Sequence, residues 1–237
     1  PIYISPGNLT DILDQTIIYG LIGVGMTFII ISGGIDLSVG GVLAFIGVIV
    51  SNMAVARVNP IICILVGLIL GLSIGAINGF IVVKMKLQPF VATFGTMTIF
   101  RGFAYVITKG FPIIKIPAEY RRIVDGLLFG GVRVSVFIFL AFSIICWIVL
   151  KETKFGNYVY AIGGNQEAAR LSGVKVDRYR ILIFAIGMLG TALAALIQLG
   201  KLGVGEASAG SGYELNAIAA VAIGGSSMAG GRGSILG

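Results

Sequence analysis

The chain has 237 residues, 57% of them hydrophobic and 11% charged, with a mean hydropathy of +1.03. A water-soluble domain of this size cannot carry so apolar a composition, so the sequence reads as a membrane protein. The net charge of +7 then means basic loops held at the cytoplasmic side, and not a nucleic-acid surface.

In chain order, the first uncharged run is Gln15 to Ile35, 21 residues, and the second is Leu37 to Ala56, 20 residues. A hydrocarbon core needs roughly 20 apolar residues per helix, so each can span. Between them, in the block SGGIDLSVGG, stands Asp36. Two readings of it are open. In one, Ser32 to Ile35 turn at the cytoplasmic surface and Asp36 caps a helix beginning at Leu37. In the other, the turn lies within the membrane as a broken helix beside a cavity, where irregular backbone is tolerated. Val58 to Val83 is the third run. The fourth, Leu87 to Thr108, is interrupted by Arg101, about 10 Å from its outer end. That residue either anchors its helix through the interface or a neighbouring helix, or lines a path. Val134 to Leu150 and Ile181 to Gly200 add two runs, and Leu215 to Gly231 is short and glycine-rich. The expectation is an all-α, polytopic transmembrane helical bundle whose glycine-rich helices break or re-enter. The chain starts at Pro1 without Met and stops at Gly237 just after an uncharged run, and is read as a piece of a longer polytopic protein.

The connection Lys151 to Arg180 carries six Lys and Arg and is placed in the cytoplasm by the positive-inside rule. Counting spans back puts Lys109 to Arg133 outside, Lys84 and Lys86 inside, the Asp36 block on the cytoplasmic side and Pro1 to Asp14 outside. Within residues 151–180, Asn165 can cap a short helix at about 166–172, with Glu167 and Arg170 spaced to pair and Gly173 available for a left-handed exit. So short a helix must be held by packing. It is either an amphipathic connector or a docking element for a cytoplasmic partner.

Cys63 and Cys146 lie inside apolar runs and give neither a disulfide nor a metal spacing, and the chain has no histidine. No His-containing catalytic triad and no usual imidazole proton relay is available. No G-x-x-x-x-G-K-[ST] loop occurs, so the chain has nothing with which to cradle ATP phosphates.

The segment AIGGNQEAARLSGVKV, Ala161 to Val176, resembles the coupling-helix region of the integral membrane permeases of bacterial ABC importers for ribose and related monosaccharides. Three further blocks carry the same resemblance in the same order: GGIDLSVGG, FGTMTIFRGFA (Phe94 to Ala104) and AGSGYELNAIAAVAIGGSSMAGGRG (Ala209 to Gly233). Members of that family often have an acidic residue where this chain has Asn216. The resemblance implies a single transmembrane permease domain over residues 1–237, lacking an earlier span and later ones. It implies a subunit of an inner-membrane, multi-pass importer that is not itself an enzyme. Implied partners are a second permease subunit, two cytoplasmic ATP-binding subunits and a periplasmic or lipid-anchored sugar-binding protein, with ATP and Mg held on the partner subunits and no cofactor bound by this chain. Coupling falls to Gly164, Asn165, Glu167, Ala168, Ala169, Arg170, Leu171 and Gly173. Candidate residues of the translocation path are Asp36, Ser38, Phe94, Arg101 and Ser226.

Permeases for branched-chain amino acids or for the furanosyl autoinducer are the nearest alternatives, and a secondary transporter is a further one. The latter needs a midplane ion site, and Asp36 is the only acid flanked by spans on both sides. One internal echo is present: IIISGGIDLSVGG (Ile29 to Gly41) and AVAIGGSSMAGGRG (Ala220 to Gly233) both run from apolar residues through paired glycines. Either the two are inverted-repeat partners around a central site or their glycines serve close helix packing.

Overall fold

The computed structural model describes residues 6–128 and 131–237, without the side chains of residues 6–11, 13 and 14. The part of the outside expectation that falls on residues 1–5 lies outside the described residues. Among the described residues ten helices follow in order: α1 (Pro6–Ile31), α2 (Val39–Val55), α3 (Pro60–Lys84), α4 (Pro89–Thr108), α5 (Ala118–Asp125), α6 (Val134–Glu152), α7 (Lys154–Gly164), α8 (Gln166–Leu171), α9 (Val176–Leu202) and α10 (Tyr213–Ile223). There is no strand among the described residues beyond two isolated bridges, Ile113 with Gly205 and Leu127 with Arg133.

Helices α3, α4, α6 and α9 are each long and apolar enough to cross a membrane, and α1, α2 and α10 provide shorter apolar stretches. Thus the run Leu87 to Thr108, despite Arg101, holds a membrane-length apolar helix over Pro89–Thr108. By contrast, Leu37 to Ala56 yields only the 17 residues of α2, because Leu37 and Ser38 are used in the preceding turn.

α9 is the centre of the bundle, the most buried of these four membrane-length helices, with α3 on one side and α1 on another. Its fit to α3 is written in the sequence. Gly67, Gly71, Gly75 and Gly79 recur every four residues and so form one stripe on α3. A Cβ at Gly67 would press Leu196, at Gly71 Ala192, at Gly75 the backbone of Phe184 and Ala185, and at Gly79 that of Ile181. Without side chains on that stripe the two backbones approach closely, which is how helices associate where lipid removes the hydrophobic drive. The pairing is antiparallel, so the last turn of α3 and the first of α9 share the basic-loop end.

Two elements inside the loops are absent from the sequence reading. α5 lies across the outer end, where Tyr120 donates to Leu196 O (3.1 Å) and Asp125 accepts from Arg133 Nη1 and Ser135 Oγ, both at 2.7 Å. α7 occupies much of the connection treated as loop. Thr153 caps it, accepting from Gly156 N at 3.3 Å.

Candidate functional site

The SGGIDLSVGG block is a break between α1 and α2, set into the bundle. α1 ends in a Schellman turn: Gly33 N–H donates to Ile30 O and Gly34 N–H to Ile29 O, both at 2.9 Å, with Gly33 at φ +79°. Asp36 is then fully buried. It does not cap a helix at Leu37. The helix starts at Val39 with Ser38 at its N-cap, and Asp36 Oδ1 accepts from Ser38 N (2.7 Å) and Ser38 Oγ (2.6 Å). Asn78 of α3 donates to Ser38 Oγ (2.8 Å) and reaches Asp36 Oδ2 (3.5 Å), while Leu37 N–H donates to Thr93 Oγ1 of α4 (2.9 Å). Asn78 stands six residues before the end of α3, about 9 Å inward from it. The Asp36 side chain is therefore below the surface, and its burial is offset by the donors of Ser38 and Asn78. The second glycine pair makes room: a Cβ on Gly40 would overlap Gly210 O, and one on Gly41 would overlap Met97 O of α4.

Those contacts lead to the second irregular segment. α9 closes at the outer end with Gly203 in the left-handed region (φ +67°). The chain then descends without helix. Gly205 exchanges two backbone hydrogen bonds with Ile113 of the outer loop (2.8 and 2.9 Å), and Gly210 arrives beside Gly40. Gly40 and Gly41 lie level with Met97, the ninth residue of the 20-residue α4, so Gly210 is near mid-height. From Tyr213 the chain resumes as the 11-residue α10. Residues 203–223 thus form one broken crossing, half irregular and half helix.

Arg101 holds this crossing. It does not snorkel outward. Its Nη1 donates to Ala207 O (2.8 Å) and Ala209 O (3.1 Å), and its Nη2, like Glu214 Oε2, lies beside Gly40. Backbone carbonyls with no helical partner are thereby satisfied. Ser208 and Ser211 remain exposed next to them, as does Asn216 on α10. No sequence rule singled out the two serines. The signal that could have found them is serine set among small residues in ASAGSG, Ala207 to Gly212, a few residues after a full-length apolar run.

The other two path candidates are not brought to this place. Phe94 stands half exposed on the outward face of α4, one residue past the inward-turned Thr93. Ser226 is buried at a cavity of about 180 Å³ shared with Tyr19, Thr27 and Phe139, against a different side of α1.

The glycine-rich segments of the echo meet at the same end of the bundle. Gly231 N–H donates to Ile31 O (2.8 Å), and Gly230 lies against Gly33. An in-plane twofold would carry one to the opposite end, so close packing is the reading the geometry favours. The third member of this contact is α7. A Cβ on Gly163 would overlap Ile31 O, and Tyr160 Oη donates to Gly233 O (2.8 Å).

α8 follows α7 after one residue. Asn165 is the C-cap of the first helix and the N-cap of the second, where its side chain accepts from Ala168 N (2.9 Å). Gly173 makes the expected left-handed exit at φ +86°. Two expectations are corrected. Arg170 pairs with Asp177 Oδ1 of α9 (3.2 Å) and not with Glu167, because the turn at Gly173 folds α9 back against it. Ala169, expected among the exposed coupling residues, is buried, its face being the one that packs inward. Gly164, Gln166, Glu167, Ala168, Arg170 and Leu171 are exposed, Leu171 at 81%.

Comparison with known proteins adds the following. Residues 8–237 match the family described as branched-chain amino acid transport system / permease component. The chain is 44% identical over its whole length to the ribose import permease of Bacillus subtilis (strain 168), covering 74% of that protein. It is 39% identical over its whole length to the ribose import permease of Escherichia coli (strain K12), covering 75%. To the D-allose transport system permease of the same strain it is 35% identical over 99% of its length, covering 72%. No solved structure matches.

Proposed function

The chain belongs to the branched-chain amino acid transport system / permease component family, and from that premise we propose that it is the membrane-spanning permease subunit of an ATP-driven importer for a ribose-like monosaccharide. Sugar is favoured over amino acid as cargo because the relatives matched along the whole chain are named for ribose and allose. The protein is a multi-pass membrane protein and a transport component; the bacterial inner membrane is its proposed location.

The observation that supports a path is the broken crossing at Gly203 to Ile223. Non-helical backbone at membrane depth is tolerated where it is buried in protein or faces water, since each unsatisfied group in hydrocarbon costs several kcal/mol. Ser208, Ser211 and Asn216 on this crossing expose polar groups at mid-height. A neutral polyol exchanges hydration for such hydroxyls and carbonyls at little net cost, and a path must not bind tightly. We place these residues on the path, with Arg101 positioning the segment from behind. Asp36 and Ser38 brace α2, α3 and α4 and do not touch cargo. A second permease subunit, a copy or a paralogue, completes the wall.

Two ATP-binding subunits, which carry ATP and Mg, dock on the exposed face of α8, and a sugar-binding protein delivers cargo at the opposite end. α8 moves α7 through Asn165, and α7 rests by Gly163 and Tyr160 on the end of α1 and on the Gly230 to Gly233 turn. Displacement of α8 thereby reaches the inner end of the broken elements. The test is co-reconstitution with the ATP-binding subunits and binding protein in proteoliposomes, measuring uptake of labelled ribose against xylose, allose and leucine. ATP-dependent sugar uptake is expected. Uptake of leucine without sugar, or sugar uptake without ATP, overturns the reading.

A further inference from the structure

At the end of the bundle that carries α8, a crevice of about 350 Å³ opens between the last turn of α3, the first turns of α9 and α8 itself. Val82 forms part of its apolar wall, and Lys86, Gln166, Arg170, Asp177 and Arg180 form its polar side. Three cations thus face one carboxylate. That carboxylate already pairs with Arg170 (3.2 Å), and Arg180 Nη1 donates to Gln166 Oε1 (3.3 Å). Arg180 Nε is buried without an acceptor. Lys86 holds a left-handed backbone (φ +52°) just beyond the C-terminus of α3, where glycine would be unstrained.

We propose that this crevice binds the phosphate of an anionic phospholipid headgroup. Its depth fits: α3 and α9 each cross a membrane, and the crevice lies where both end, the level at which headgroups lie. Its chemistry fits too. A phosphate accepts from an arginine fork and from a lysine point charge, and would supply the acceptor that Arg180 Nε lacks. Leu87, 38% exposed beside Lys86, gives the crevice an accessible apolar edge, which suits a diacylglycerol more than a free anion. Because Gln166 and Arg170 belong to α8, a headgroup held there ties that helix to α3 and α9. The inference rests on the membrane-spanning reading alone and stands whatever the cargo.

The test uses the complete importer in nanodiscs containing phosphatidylglycerol and phosphatidylcholine, with lipids retained after release counted by native mass spectrometry. Wild type should keep phosphatidylglycerol in preference to phosphatidylcholine. The pair Lys86→Gly and Arg180→Gln should retain it about tenfold less. Lys86→Gly alone relieves the backbone while removing a cation, so its loss of lipid cannot be ascribed to misfolding. Equal retention by the variants overturns the proposal. Displacement by excess inorganic phosphate would make the ligand a free anion and overturn the lipid source. Loss of the ATP-binding subunits with lipid still retained would assign the cations to that partner, with the same consequence.

Discussion

At the scale of single residues, Asp36 shows how a charge is accommodated among apolar runs. Its acceptor atoms answer two donors of Ser38, and Asn78 of α3 is linked to both residues, so one side chain fixes the start of α2 and its register on α3. Asp36→Ala leaves those Ser38 donors buried without their acceptor and should cost about 2 to 3 kcal/mol. Asp36→Asn keeps an acceptor for Ser38, and Asn78 Oδ1, buried without a partner, can accept from the new amide after a flip. It should cost under about 1 kcal/mol. Thermal unfolding of the detergent-purified importer checks both, and an Asn variant as damaged as the Ala variant would show that the charge itself is required. That Asp36 was special was legible from its place between two apolar runs. Its partners were not, since Asn78 is 42 residues away and inside an otherwise apolar run.

At the scale of elements, the local rules worked where chemistry is local. Asn165 and Gly173 mark α8 within one residue, because a cap and a left-handed exit are made by the residues themselves. The ion pair of Arg170 was misread because its partner comes from the next helix, past a glycine turn. α7 and α5 were missed although their apolar positions keep helical spacing, Phe155, Val159 and Ile162 in one and Tyr120 and Val124 in the other. Charge counting had marked both stretches as loops. The proposed docking role of α8 gives a sharp expectation. Glu167→Arg with Ala168→Asp alters only exposed positions, so the permease should insert and keep its thermal stability while sugar-stimulated ATPase falls at least about tenfold. Unchanged ATPase stimulation would exclude this face of α8 from docking.

At the scale of the whole molecule, the layout is a closely packed centre, α1, α3 and α9, with one crossing left broken beside it. The centre was legible as apolar runs and as the glycine stripe on α3. The broken crossing was legible only as a short glycine-rich run, because its first half, Gly203 to Gly212, has neither helical nor strand periodicity. Cysteine labelling can find which way it faces. Native Cys63 and Cys146 are both buried, so background is low. Ser208→Cys and Ser211→Cys should react with a membrane-impermeant thiol reagent in the assembled importer, and more slowly when cargo is being transported; silence at both positions would put the path elsewhere. Another consequence follows from the single residue shared by α7 and α8. Asn165 ends one helix and starts the next, so the joint has no spare links and therefore no backlash. On the proposed docking of ATP-binding subunits at α8, a lever without backlash delivers its stroke at once and in full and works equally in reverse, so the posture of the glycine floor would be reported back through the same joint.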